Sequence, residues 1–185
     1  MNKTIHQFWL GGKIPQQYLD LHQSIINTNK GWDVILWQED EINKYICDPR
    51  VYDLFNGVYA QCIDVIKLHA LKKYGGVVLD MDFQGISSFD PVLEYSAFTA
   101  KQPDGFTCNA CYGAEKGHPW IDKMLQDERS KWYPPHCGHM MESTMKDLDV
   151  KLVPEDWFYP YNWNEEPKPP KESTIAIHLW HGTWL

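Results

Sequence analysis

The chain has 185 residues, enough for one domain with a substantial core, and 14% of them are aromatic, including nine Trp. Its 17 basic and 25 acidic residues give a net charge of −8, which argues against nucleic-acid binding because phosphate contacts need clustered Lys and Arg. No run approaches the roughly 20 apolar residues of a membrane span, and the N-terminus lacks the pattern of a signal peptide. The five scattered Cys indicate reduced thiols in a cytoplasmic setting.

In chain order, the first half of the sequence predicts alternating strands and helices. Apolar runs predict the strands and helical spacing predicts the helices. The strands fall at 4–10, 34–37 and 77–79, and the helices at 15–29, 39–46 and 59–74. Gly75 and Gly76 would end the last helix. This alternation is typical of an α/β domain with a largely parallel central sheet flanked by helices.

The second half predicts fewer elements. They are strands at 95–100, 108–113 and 175–177 and a helix over 118–129. The stretch 133–170 is Pro-rich and is predicted to be irregular, with an aromatic cluster at 157–163. We therefore predict a single domain over 1–185.

Asp80-Met81-Asp82 follows directly on the apolar strand 77–79. In open α/β sheets, ligands bind beyond the carboxyl ends of the strands, and two carboxylates in this arrangement can hold a hard divalent cation. A solvated turn that only caps the strand is the simpler alternative. Phosphatases of the haloacid-dehalogenase type share the D-x-D pattern, but there a small residue and then Thr or Val usually follow, where this chain has Phe83-Gln84.

The aromatic excess offers a further alternative, a non-catalytic carbohydrate-binding domain, since exposed Trp and Tyr stack on sugar rings. The cluster at 157–163 could be such a surface, or the wall of an acceptor site in an enzyme. A lectin has no need of a Gly-Gly, strand and D-x-D arrangement, so the enzyme is favoured.

Four blocks of the sequence carry a resemblance to a known family. Residues 74–82, Y-G-G-V-V-L-D-M-D, resemble a Y-G-G-x-Y-x-D-x-D core, and residues 60–67 resemble A-x-x-S-D-x-x-R. Residues 5–12 resemble an opening I-H-x-x-W-x-G, and residues 177–184 a closing I-H-H-x-x-G-S-W. Together and in this order they resemble glycosyltransferase family 32, the DXD-containing sugar transferases, which are similar to the catalytic domain of large clostridial glucosylating toxins.

The resemblance implies a GT-A fold and transfer from a nucleotide-sugar donor, with Mn²⁺ or Mg²⁺ bound and with retention at the anomeric carbon. It favours a UDP-sugar, with a GDP-sugar as the alternative, and a glycan or glycoprotein acceptor. A cation would stabilise the charge that develops on the leaving diphosphate. A compact chain of this kind is expected in the cytoplasm, for example as a viral or phage protein in a host cell, unless it is one domain of a larger enzyme.

The same resemblance assigns residues to a metal site. Asp82 would bind the cation directly, Asp80 would bind it through water or contact the ribose, and His178 would complete the coordination. His181 is a fallback ligand. For His178 the alternative is a partly buried histidine whose ring is satisfied by the backbone.

Other residues would hold the donor. Trp9 would stack on the nucleobase, unless it is a core Trp. Asp64 would bond sugar hydroxyls and Lys67 would lie near the sugar or diphosphate, although residues three apart on a helix can also form an ordinary surface ion pair. Lys67 stands where the family has Arg, and it cannot form the same bidentate fork.

The remaining assignments lie in the second half of the chain. Asn109 would face donor or acceptor, or else stabilise a turn. Thr183 and Trp184 would contact the diphosphate through their hydroxyl and indole N–H. The predicted catalytic set is Asp64, Lys67, Asp80 and Asp82. The H-C-G-H stretch at 136–139 and the C-x-x-C at 108–111 lack the partner pair that a zinc site needs.

Overall fold

A computed structural model describes residues 1–46, 51, 58–127 and 137–182. Within them the strands are β1 (Thr4–Phe8), β2 (Asp33–Trp37), β3 (Gly76–Leu79), β4 (Phe83–Gly85), β5 (Ala97–Lys101), β6 (Thr107–Ala114), β7 (Lys151–Val153) and β8 (Ala176–His178). The helices are α1 (Gln16–Thr28), α2 (Glu39–Tyr45), α3 (Tyr59–Tyr74), α4 (Pro119–Gln126) and α5 (Cys137–Thr144). Short 3₁₀ helices lie at Asp90–Glu94 and Glu155–Trp157.

The main sheet has six strands in the order β2-β1-β3-β6-β5-β7. β1 is parallel to β2 and β3, β6 is antiparallel to both β3 and β5, and β7 is parallel to β5. Only β6 of these strands runs against the others, which confirms the predicted mostly parallel sheet. β4 and β8 form a separate antiparallel pair in which Phe83 lies opposite His178.

The core lies on both faces of the main sheet because successive side chains of a strand point to opposite faces. Val78 of β3 belongs to a cluster that includes Leu71 of α3 and Trp120 of α4. Val77 and Leu79, its neighbours in β3, belong instead to a second cluster with residues of α1, β5 and β8. Burial on both faces explains why β3 reads as a continuous apolar run.

Two glycines let α3, β1 and β3 meet closely. Gly75 and Gly76 have φ values of +70° and +101°, which side chains other than glycine rarely adopt. A Cβ added to Gly76 would lie 2.5 Å from the carbonyl oxygen of Thr4, next to β1. His6 fixes the same junction, since its ring accepts from the indole N–H of Trp37 at 3.0 Å and donates to the Gly75 carbonyl at 3.0 Å.

Most of the predicted elements are found, and α3 has its predicted ends. The prediction that 133–170 is irregular is wrong for its described part, which contains α5 and β7. β4 was not predicted either. Residues 128–129 of the predicted fourth helix and His136 of the H-C-G-H stretch lie outside the described residues.

The aromatic cluster at 157–163 is largely core. Phe158 and Tyr159 are fully buried, and Phe158 stacks on Phe89 with ring centroids 5.6 Å apart. Trp163 is 67% exposed, so an acceptor wall in this segment could use its ring but not those of Phe158 and Tyr159. Cys108 and Cys111 are buried free thiols in β6. None of the described helices has the length and apolar character needed to cross a membrane.

Candidate active site

The backbone of Asp80 is fixed from both strands that flank β3. Its N–H donates to the Ala110 carbonyl of β6 at 2.9 Å, and its carbonyl accepts from the side-chain amide of Gln7 in β1 at 3.0 Å. The amide oxygen of Gln7 lies 2.7 Å from Nδ1 of His22. Since that oxygen can only accept, the His22 ring donates to it. Neither Gln7 nor His22 was predicted as a site residue, although Gln7 lies inside the opening block of the sequence.

Asp82 is held by residues near the C-terminal end of the described chain. Its carboxylate accepts from Nε2 of His178 at 3.1 Å and from the backbone N–H of His181 at 3.0 Å. Its carbonyl accepts from the Leu179 N–H at 2.9 Å. The pairing of β4 with β8 therefore brings the closing block of the sequence onto the D-x-D segment.

The His178 ring packs against two aromatic side chains. It stacks on Phe83, with the two ring centroids 4.8 Å apart. The centroid of the Trp180 ring lies 4.1 Å from that of His178. The residue is 7% exposed, and its Nδ1 is buried without a hydrogen-bond partner among the described residues. The expected alternative, a ring satisfied by the backbone, is wrong because the ring contacts the Asp82 carboxylate instead.

Asp80, Asp82 and His178 converge. One ligand atom from each lies within 4.8 Å of the other two. Two carboxylates and an imidazole form a donor set that a divalent metal ion can use, so the residues fit the predicted cation. His181 contributes its backbone N–H to Asp82, and its ring packs against Tyr18 with centroids 5.6 Å apart.

Lys67 joins Asp64 and Asp80 beneath this group. Its Nζ lies 2.6 Å from Oδ1 of Asp80, 3.2 Å from Oδ1 of Asp64 and 3.1 Å from the Asn109 carbonyl oxygen. Lys67 is only 2% exposed, so the alternative of an ordinary surface ion pair is wrong. Asn109 lies in β6, which excludes the alternative of a turn-stabilising Asn.

The charges of the cluster follow from these contacts. Burial opposes ionisation of Asp82, but His178 and the His181 N–H outweigh it and lower the pKa of Asp82 to about 2. Burial raises the pKa of the Asp80 carboxyl above its usual range, although the Lys67 ammonium opposes that shift. Burial also disfavours the charge on Lys67, yet Asp80 and Asp64 together raise its pKa. Asp82 is therefore an anion and Lys67 a cation throughout the physiological range.

Trp9 follows β1 at the rim of an open cleft of about 410 Å³, which is also lined by Gly11, Gly12 and residues 38–41. The indole is partly buried and packs at 5.2 Å from the Tyr18 ring, with Ile14 and Met81 in the same cluster. Because Tyr18 also contacts His181, a continuous line of contacts leads from Trp9 to Asp82. Tyr18 was not predicted, since it reads as an ordinary apolar residue of α1.

Thr183 and Trp184 lie outside the described residues, so their predicted contacts with a diphosphate stay predictions. Lys67 was predicted to lie near the sugar or diphosphate of the donor. In the structure its ammonium contacts protein groups. Apart from Trp9, the predicted site residues in the described part of the chain fall into two groups that share Asp80. These are Asp80, Asp82 and His178 at the carboxyl end of β3 and Asp64, Lys67, Asp80 and Asn109 between α3 and β6.

Comparisons with known proteins agree with this geometry. Residues 15–99 match the family described as glycosyltransferase sugar-binding region containing DXD motif. Inositol phosphoceramide mannosyltransferase 3 of Schizosaccharomyces pombe is 28% identical over 131 residues, which cover 68% of this chain and 36% of the relative. An uncharacterized glycosyltransferase of Acanthamoeba polyphaga mimivirus is 27% identical over 139 residues, which cover 66% of this chain and 53% of the relative.

The chain thus spans about a third to a half of the length of these curated relatives. A solved structure, PaToxG Glycosyltransferase, has a TM-score of 0.61 at 19% identity and covers 78% of this chain and 68% of its own. This similarity confirms the predicted α/β architecture of GT-A type.

Proposed function

We propose that the chain is a glycosyltransferase of the DXD-containing sugar-transferase family, to which it is similar over residues 15–99 and in its mannosyltransferase relatives. It moves a hexosyl group from a nucleotide-sugar donor to a glycan or glycoprotein acceptor. The reaction depends on a divalent cation, Mn²⁺ or Mg²⁺, bound by Asp82 and His178 with Asp80 beside them. The observation that carries this proposal is the convergence of these three side chains within 4.8 Å of one another at the carboxyl end of β3.

A divalent cation held by these residues would supply positive charge to the leaving diphosphate. Asp82 is suited to hold the cation because its carboxylate stays ionised and is kept in place by the His181 N–H. The His178 ring is kept in position by Phe83 and Trp180. The ligands are therefore oriented before the donor arrives, which reduces the reorganisation needed during the reaction.

Trp9 and Asp64 hold the two ends of the donor. The Trp9 ring at the rim of the open cleft stacks on the nucleobase. Asp64, whose side chain is 18% exposed, accepts hydrogen bonds from sugar hydroxyls. Asn109 borders the same small pocket as Asp64 and faces the donor or the acceptor.

The donor is a UDP-sugar in the first instance, with a GDP-sugar as the alternative. Stacking on Trp9 does not separate them, because every base has a π-face. The name of the mannosyltransferase relative makes mannose the first sugar to test with both nucleotides. The transfer proceeds with retention at the anomeric carbon, a part of the proposal that is supported by the family resemblance alone.

Release of nucleoside diphosphate from UDP- and GDP-hexoses tests this function. We expect slow hydrolysis of one donor in the presence of Mn²⁺ and none with EDTA. Asp82→Asn should abolish it, since the amide keeps the shape of the side chain but loses the charge. Asp122→Asn is the matched control, because it removes a carboxylate that pairs with Lys72 on the helical surface.

The control should hydrolyse the donor at the wild-type rate, and circular dichroism should show that both variants are folded. Equal rates in Asp82→Asn and wild type, or rates that EDTA does not change, would contradict the proposed role of the metal.

A further inference from the structure

Lys67 has no hydrogen-bond donor left for a substrate. A lysine ammonium carries three N–H donors, and Lys67 faces three protein acceptors, in Asp80, Asp64 and the Asn109 backbone, at 2.6, 3.2 and 3.1 Å. Its side chain is 2% exposed. A phosphate or sugar hydroxyl could reach this ammonium only by displacing one of these contacts.

The contact with Asp80 also affects the neighbouring cation site. Lys67 lies closer to Asp80 than to either of its other partners. An ammonium and a divalent cation are attracted to the same carboxylate, and each weakens the attraction of the other. Asp82 differs, since its described polar contacts are to His178, the His181 N–H and the Leu179 N–H.

We infer that Lys67 is a positioning residue that acts as a built-in counter-cation of Asp80, and that it lowers the affinity of the Asp80–Asp82–His178 group for the divalent ion. It does not bind the donor. Asp64 takes part because it shares the Lys67 ammonium with Asp80 and so limits how much of the Asp80 charge is neutralised. This inference rests on the proposed function, since it concerns the same cation site.

The lysine side chain suits this role better than arginine would. The guanidinium of Arg carries five N–H donors in a planar fork, whereas the lysine ammonium is a compact point charge. An arginine making the same three contacts would keep donors for a phosphate or a sugar. The lysine keeps none, so its effect on the site is purely one of charge and position.

Calorimetric titration with Mn²⁺ alone tests the inference without any donor or activity. Lys67→Met should bind Mn²⁺ about tenfold more tightly than wild type, because the positive charge beside Asp64 and Asp80 is removed. Lys72→Met is the matched control, since it removes a lysine of the same helix whose side chain is 55% exposed and pairs with Asp122. The control should bind Mn²⁺ as wild type does.

Asp64→Asn gives an independent answer if Lys67→Met does not fold. The amide oxygen can still accept from Lys67, but Asp80 then becomes the only carboxylate of the three contacts. We expect Mn²⁺ binding several-fold weaker than in wild type.

Unchanged or weaker Mn²⁺ binding in folded Lys67→Met, or unchanged binding in Asp64→Asn, would overturn the inference while leaving the proposed function in place. A loss of UDP or GDP affinity without any change for Mn²⁺ would make Lys67 a donor ligand and would also overturn it. If wild type itself binds no Mn²⁺, the proposed metal dependence fails, and this inference fails with it.

Discussion

At the scale of single residues, the sequence was informative where side chains follow an element directly. Asp80 and Asp82 could be placed because they follow an apolar strand, and His178 because its block matches a family pattern. The partners of Lys67 could not be predicted from spacing. They come from its own helix, from the end of β3 and from β6, 42 residues further along the chain. Which of several nearby acceptors a buried lysine chooses depends on packing in three dimensions.

The proposed stacking of Trp9 on the nucleobase can be tested by replacing this one residue. Stacking of a base on an aromatic ring is worth about 1–3 kcal/mol, so Trp9→Ala should weaken UDP or GDP binding by roughly 5- to 150-fold. Its effect on stability should be small for a Trp, because the residue is only partly buried. Nucleotide titration and urea unfolding of the same variant measure the two effects.

Trp120→Phe is the contrasting variant. Trp120 is fully buried in α4 and donates from its indole N–H to Thr144 at 3.1 Å. Its replacement should lower the free energy of unfolding by about 1–3 kcal/mol and leave nucleotide affinity unchanged. The reverse pattern between the two variants would make Trp9 a core residue.

At the scale of elements, the junction of α3, β3 and β1 positions the D-x-D segment. Gly76→Ala should lower the free energy of unfolding by about 3 kcal/mol or more, because it adds backbone strain and a Cβ only 2.5 Å from the Thr4 carbonyl oxygen. Gly31→Ala is the control, since Gly31 also has positive φ but a Cβ there would have no neighbour within 4 Å.

Gly31→Ala should lower the free energy of unfolding by only about 1–2 kcal/mol, because of its unfavourable φ. Urea unfolding of both variants measures the difference. Equal losses in the two variants would show that the approach of β1 to β3 does not require glycine.

The strands that sequence patterns missed share a physical property. β4 and β7 have three residues each, too few for a period of two to be recognised. β4 forms because β8, which is more than 90 residues away, pairs with it. α3, by contrast, has 16 residues, a clear helical pattern and a glycine stop, so its ends could be predicted from the sequence alone.

At the scale of the whole molecule, histidines that are buried or partly buried link stability to pH. Burial lowers the pKa of His6, His22 and His69 below the usual value. Below about pH 6.5 the unfolded chain therefore binds protons that the folded chain does not, and stability falls as the pH falls. Each histidine contributes at most about 1.4 kcal/mol per pH unit.

Urea unfolding at pH 7.5, 6.5 and 5.5 measures this dependence. We expect the free energy of unfolding to decrease over this range and the decrease to be smaller in His69→Gln. A stability that stays constant or rises on acidification would contradict the burial of neutral histidines.

The acidic character of the chain is partly explained by its site. Asp64, Asp80 and Asp82 lie together, and in the described part of the chain Lys67 contacts Asp64 and Asp80. A divalent cation would balance the remaining charge and would also provide the positive charge that a nucleotide diphosphate needs. The net charge of −8 is therefore consistent with a phosphate-containing ligand once the cation is bound.

Thermal unfolding with nucleotide sugars is the most direct test of metal-dependent donor binding. A panel of UDP- and GDP-hexoses is compared in Mn²⁺ and in EDTA, with Asp82→Asn alongside wild type. At 100 times its Kd, a donor stabilises the folded state by about 2.7 kcal/mol, or about 5–10 °C in Tm for a chain of this size. We expect such a rise for at least one donor, only with Mn²⁺ and only in wild type. No rise with any nucleotide sugar, or an equal rise in EDTA, would contradict this expectation.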